Sequence, residues 1–266
     1  MIAKDGSVIG IDVGYSPTRR SSAACRLDWS GEEISWEIER FRAVEPERGD
    51  IIHKVAGGRP LAAAAFDGPV RRGFDSIGRY RTAERMLTRR LGRLIGKPGQ
   101  SSAPVGRQLN HHANECARHV VARPDVQIAH HAVRIDGKAL VEAFPSSFLG
   151  MMIKSPERVT AKRADRSDTF FRHLVASGGL LALIEYCLPG RRLACDLRDV
   201  VNHDDRAALV CALTALVVAA GDFTAVGDSD GWIILPPRRF IQSEQWSLLE
   251  QNAQEEDVGA LHIAGS

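Results

Sequence analysis

The alternation of apolar and polar positions divides the 266-residue chain into a strand-rich beginning and a helix-rich remainder. Residues 7–13 form a short apolar run, followed by Ser22–Trp29 and Glu33–Phe41. In the last of these, Ile34, Trp36 and Ile38 alternate with Ser35, Glu37 and Glu39, the period of two expected of a half-exposed strand. Ser30-Gly31 between the second and third runs suits a hairpin turn. Three antiparallel strands are therefore predicted here. A short helix is expected over 46–56, stopped by Gly57-Gly58. Leu61–Asp67 (LAAAAFD) is alanine-rich, and alanine favours helix by propensity. However, Pro60 precedes it and Gly68-Pro69 follows, so the short segment reads as a buried strand.

Beyond this point helical periodicity dominates. Helices are predicted over about 79–94 and 107–121, separated by the loop KPGQSSAPVG. Val126–Ile135 and Lys138–Phe144 flank Asp136-Gly137, a favourable hairpin dipeptide. Residues 166–188 are helical in pattern, and His203–Ala220 is a strong apolar helix with Asn202 or Asp204 available as its N-cap. Gly231–Leu235 closes the series as a strand before Pro236-Pro237, and the acidic remainder reads as an appended helix and a loose tail. The sum is an α/β chain that opens with antiparallel strands. One domain over 1–239 and an acidic C-terminal segment over 240–266 are expected.

Composition adds limits on location. The hydrophobic share of 44% suffices for a sizeable core. The most apolar run, Ala207–Ala220, is too short to span a bilayer, so a buried helix and no membrane partner are expected. Five cysteines without a CxxC pair fit reduced thiols in a cytoplasmic protein, and no basic-then-apolar secretory leader is seen. The net charge of +2 conceals a strong asymmetry. Residues 69–123 hold twelve Arg and Lys against three acids, whereas 240–266 hold five acids and no Lys or Arg. The basic segment is a candidate footprint for a polyanion.

The candidate chemistry lies in carboxylates. Asp12 (IGIDVG) and Asp67 (AAAFDG) end apolar strands with a glycine close behind, Glu142 (LVEAFP) lies late in another strand, and Asp204 and Asp205 open the long apolar helix. A strand-end aspartate beside glycine is commonly a turn residue, and paired aspartates at a helix start commonly serve as caps. Taken together, however, acids at matching strand ends can converge, since adjacent strands lie about 4.8 Å apart. Converging like charges require a cation, and oxygen-only ligands select Mg²⁺ or Mn²⁺. His203, beside Asp204, is a candidate for proton transfer. His112, Cys116 and His119 share one helix face, but a single-helix set without a second pair of ligands elsewhere is a weak zinc signal.

Arg81, Arg85, Arg89 and Arg93 recur every four residues, a stripe along one helix face to which Arg71, Arg72, Arg79 and Arg90 add charge. Arginine forks match phosphate geometry, so Arg71, Arg72, Arg81, Arg85, Arg89 and Arg93 are candidate nucleic-acid contacts. With only Tyr80 and Phe74 nearby, base stacking is not indicated. The alternative is a solvated helix face.

The order strand-Asp, strand-Asp, strand-Glu, helix-Asp resembles the RNase H-like superfamily, which includes the RuvC-type resolvases. More narrowly, IGIDVG, AFDGPV, YRTAERML with KPGQSSAPVGRQL, VEAFPSSF, HDDRAALVCALTA and GDSDGWIILPP resemble an uncharacterised family of predicted RNase H-like nucleases. The resemblance spans most of 8–237. It implies an α/β RNase H-like mixed sheet, antiparallel N-terminal strands followed by parallel strands with helices on both faces, and Mg²⁺- or Mn²⁺-dependent phosphodiester hydrolysis in nucleic acid. Asp12, Asp67, Glu142 and Asp204 would hold the metal, with Asp205 and His203 beside them. One departure stands out: the family's final helix carries a further aspartate one turn on, where this chain reads Arg206-Ala207-Ala208. Two other classes follow from the same residues. One is a catalytically degenerate module that binds nucleic acid or protein. The other is a phosphotransferase of the actin or sugar-kinase type, which needs a second glycine-rich phosphate loop for which GDSDGW is a poor substitute.

Overall fold

The computed structural model describes residues 2–58, 60–70, 80–121, 127–128, 139–159, 166–256 and 259–265. β1 (Gly6–Asp12), β2 (Ser22–Ser30) and β3 (Glu33–Phe41) form the expected antiparallel meander. α1 (Glu47–Ala56) follows, and β4 (Leu61–Asp67) then pairs parallel to β1. The alanine run is a strand because helices press on both its faces. Ala63 and Ala65 belong to one core cluster, while Ala64 and Phe66 belong to the other. Tertiary packing overrides the propensity of alanine for helix.

The helix predicted over 79–94 is two helices, α2 (Thr82–Thr88) and α3 (Gly92–Ile95). The break falls at Arg89–Leu91, where Arg90 adopts a φ of +47° that no α-helix accommodates. α4 (Pro104–Val121) starts three residues earlier than expected, with proline in its first position. The short β5 (Gln127–Ile128) runs parallel to β6 (Ala139–Ala143), so these two pieces are not the antiparallel arms of a hairpin. Asp136-Gly137 lies outside the described residues. α5 (Pro145–Met151), α6 (Pro156–Val159), α7 (Arg166–Ala176) and α8 (Gly179–Cys187) follow. The helix expected over 166–188 is interrupted at Ser177-Gly178, where Gly178 takes a φ of +76°.

The short β7 (Arg192–Leu193) leads to α9 (His203–Ala220), capped by Asn202, whose side chain accepts from the Asp204 backbone N–H at 2.9 Å. A hairpin of β8 (Thr224–Asp228) and β9 (Gly231–Leu235) follows, its first strand not foreseen from the sequence. α10 (Ser243–Gln254) and β10 (Leu261–Ile263) end the chain. The tail is not loose: β10 pairs antiparallel with β8 and forms one edge of the sheet. The sheet order is β10-β8-β9-β6-β4-β1-β2-β3-β7, with β5 beside β6. It is mixed: antiparallel on the β1-β2-β3 side, parallel through β1, β4, β6 and β9.

α9 is buried along almost its whole length and lies on β1, β4 and β2. Gly10 is what lets it lie so close. A Cβ on Gly10 would overlap the Ala212 amide nitrogen and the Ala208 carbonyl oxygen. Small residues on both elements thus bring two backbones together, and this contact fixes the height of the first turn of α9 over the sheet. On the opposite face α1 and α4 cover Ile9, Ile11, Ala64 and Phe66. A third cluster joins α2, α3 and α10 to β8 and β9.

Candidate functional site

Asp12 and Asp67 end β1 and β4 as direct partners in a parallel register. Partners in register point to the same sheet face, and alternate residues (Val8 on β1, Ala63 and Ala65 on β4) lie in the core beneath α9. Both carboxylates therefore face the N-terminal end of α9. From Gly10 to Asp12 a strand advances about 6.6 Å. From Ala208 back to Asp204 a helix descends about 6 Å, so Asp204 stands level with the pair. The charge of Asp204 acts on Asp12 accordingly.

Neither the Asp12 nor the Asp67 carboxylate makes a hydrogen bond or ion pair with another described residue. Burial holds the Asp12 carboxyl well above the usual carboxylate range, and Asp67, Asp204 and Asp205 push it further. Burial raises Asp67 to about 7, reinforced by Glu142 and opposed by His203. The pair opens into a cleft of about 230 Å³ lined also by Lys97, Ser146, Arg166, His203 and Ala207. His203 stands at its edge with Nδ1 3.2 Å from Asp168 Oδ1, and the Arg206 guanidinium approaches the same oxygen at 3.4 Å.

Glu142 does not join this pair. It is paired in register with Phe66 rather than Asp67, which puts it on the opposite face of the sheet. There the Arg81 fork grips it, Nη2 to Oε1 at 2.7 Å and Nη1 to Oε2 at 2.9 Å. Arg81 Nε donates to Glu84 Oε1 at 2.7 Å, and Glu84 also accepts the Ser101 backbone N–H at 3.1 Å. Glu84 and Arg81 are 0% and 2% exposed, so this is a closed buried network. Removing one partner of such a network typically costs about 3–5 kcal/mol, because the other charge is left unmatched. Glu142 is thus engaged by an arginine, and its expected place among the metal-facing acids is corrected. Asp205 also diverges: its Oδ1 lies 3.5 Å from Arg40 Nε, toward β3.

The arginine stripe dissolves in the same way. Arg81 is buried. Arg85 donates to Glu256 Oε1 at 3.1 Å, and Arg89 lies 2.8 Å from Glu256 and 3.2 Å from Glu255. Arg90 reaches Asn252 at 2.7 Å and also pairs with Glu255. The acids that neutralise the stripe come from the C-terminal segment, some 165 residues away in sequence. Arg93 remains exposed, whereas Arg71 and Arg72 lie outside the described residues. Lys97 and Arg166, which line the cleft, were not foreseen. No spacing in the sequence ties either of them to Asp67.

His112, Cys116 and His119 do not form a set. Arg48 Nη2 lies 3.1 Å from His112 Nδ1, and His119 Nε2 lies 3.0 Å from Glu45 Oε1. Cys116 is buried in the core, and burial pushes its thiol up to about 12.

Among the described residues no group of three or more His, Cys, Asp or Glu side chains is close enough to enclose a metal ion. The Asp12–Asp67 pair supplies two hard oxygen donors with no ion pair to another described residue, which fits a cation that keeps several waters, as Mg²⁺ does. No described helix is long and apolar enough to cross a membrane. No family model matches the chain, and no curated protein or solved structure matches it.

Proposed function

We propose that the chain is a divalent-metal-dependent hydrolase of phosphodiester bonds in nucleic acid, built on an RNase H-like sheet. The observation that carries this reading is the Asp12–Asp67 pair: two strand-end acids in register, half-buried, without an ion pair to another described residue, and facing an open cleft. The antiparallel β3-β2-β1 meander continued by parallel β4 and β6, with helices on both faces, supports the RNase H-like assignment. Asp12 and Asp67 would hold Mg²⁺ or Mn²⁺, with Asp204 adding negative charge from α9. When bound, such an ion supplies an acidified water and charge neutralisation at the phosphoryl oxygens. His203, steadied by Asp168, is placed to move a proton at the cleft edge. Lys97 and Arg166 give the cleft a cationic wall that attracts a phosphate toward two acids that would otherwise repel it.

A second reading has its own support. Ala207 lines the cleft in the turn where the family resemblance calls for a further acid, and Glu142 is occupied by Arg81. Both favour a module that binds nucleic acid without turning it over. The phosphotransferase reading loses ground, since GDSDGW forms the β8–β9 hairpin with Asp228 and Gly231 paired across it.

The test is cleavage of labelled DNA and RNA with Mn²⁺ or Mg²⁺. Asp12→Asn and Asp67→Asn should each lower the rate at least about 100-fold, the upper end of what even outer partners of a metal cost. Wild-type binding without cleavage would select the binding module. Cleavage undiminished in both variants would overturn the assignment.

A further inference from the structure

A second cavity, of about 360 Å³, adjoins the carboxylate cleft and shares Lys97 and Arg166 with it. Its remaining lining is Thr88, Gly92 and Arg93. Among the described residues no acid and no aromatic ring lines it. Local geometry draws the three cations together around Gly92. Arg166 Nη1 donates to the Gly92 carbonyl at 3.2 Å. The chain turns back at Gly96, which has a φ of +89°, and brings the Lys97 stem alongside; a Cβ on Gly92 would lie 3.0 Å from Lys97 Cβ. Arg93 follows directly on α3. Arg85, Arg89 and Arg90 are matched by Glu255 and Glu256, but Arg93 and Lys97 form no ion pair with another described residue.

We infer that Arg93 and Lys97, positioned with Arg166 around Gly92, form a phosphate subsite beside the carboxylate cleft. It rests on the reading of that cleft as a phosphodiester site and specifies where a neighbouring phosphate is held. Arg93 and Lys97, without an acid beside them among the described residues, select an anion; the arginine fork and the lysine point charge both suit phosphate, and no described aromatic ring is placed for base stacking. The phosphate belongs either to a polynucleotide backbone or to a terminal monoester.

The test is metal-free binding, so that it does not depend on cleavage. A short labelled single-stranded oligonucleotide is titrated by fluorescence anisotropy across a salt series, with inorganic phosphate and a nucleoside 5′-monophosphate as competitors. R93Q/K97Q should weaken oligonucleotide binding and flatten the log-log salt slope by about 1.4, two single-strand phosphate contacts at about 0.7 each. R85Q/R89Q, whose cations already face Glu255 and Glu256, should leave the slope unchanged. Effective competition by the monophosphate in wild type, lost in R93Q/K97Q, identifies a terminal phosphate. Loss confined to the oligonucleotide identifies a backbone phosphate. Equal losses in both double variants, an unchanged slope in R93Q/K97Q, or no binding by wild type would each overturn the subsite. If wild type and R85Q/R89Q bind but Asp12→Asn cleaves as well as wild type, the nuclease reading fails while the subsite stands. An equal melting temperature of R93Q/K97Q and wild type excludes misfolding as the cause of its weaker binding.

Discussion

At Asp67, burial and the charge of Glu142 act against the ionised form, and the carboxyl titrates near pH 7, while Asp12 beside it is held well above the carboxylate range. An unfolded aspartate titrates near about 3.9, so between about pH 4 and 7 the native protein keeps a proton that the unfolded chain has released. The contribution of Asp67 to metal-free stability therefore falls as pH rises through that window. Asp67→Asn removes this contribution and lowers the repulsion on Asp12, so it should melt higher than wild type at pH 8 and show a flatter profile from pH 4 to 8. Thermal unfolding across that range checks it, and an identical slope in the variant would show that Asp67 is ionised in the native state throughout. Both acids were legible as strand-end residues followed by glycine. Their pairing follows from strand register, which no local motif encodes. Glu142 shows the converse: a shift of one residue in register would have put it beside Asp67, and the residue opposite Asp67 is instead Ala143.

Elements meet most closely where α9 crosses β1. Any side chain on Gly10 must displace the Ala208–Ala212 backbone, so Gly10→Ala should destabilise by about 1–3 kcal/mol or more, the range of overpacked cores. It should also lift the first turn of α9 from Asp12 and weaken metal binding. Chemical denaturation with a parallel Mn²⁺ titration checks both effects, and a neutral substitution would mean that α9 is not seated on Gly10. The helix from 203 to 220 was legible because its cap, its apolar run and its closing glycine agree. The helix predicted over 79–94 was not, because its periodicity continues through a break made by one residue, Arg90, whose side chain is held by Asn252 and Glu255. The same distance effect hides Arg81, which reads as one stripe member and is buried by an acid 61 positions away.

Across the whole molecule the charge asymmetry of the sequence is resolved by folding. The acidic C-terminal segment lies against α2 and neutralises Arg85, Arg89 and Arg90, so the basic segment presents to solvent much less charge than its composition implies. Arg93 and Lys97, exposed and without an ion pair to another described residue, adjoin the one pair of acids in the described sheet that end neighbouring strands in register, and β10 closes the sheet edge beyond β8. The central claim is that the pair holds a divalent cation. Mn²⁺ titration followed by electron paramagnetic resonance tests it directly, since free and bound ion are counted separately. Wild type should bind Mn²⁺ more tightly at pH 8 than at pH 6, because protons must leave Asp12 and Asp67 before the ion enters, and Asp12→Asn and Asp67→Asn should each abolish this binding. Mn²⁺ binding of equal affinity in wild type and both variants, or none in wild type at pH 8, would contradict it.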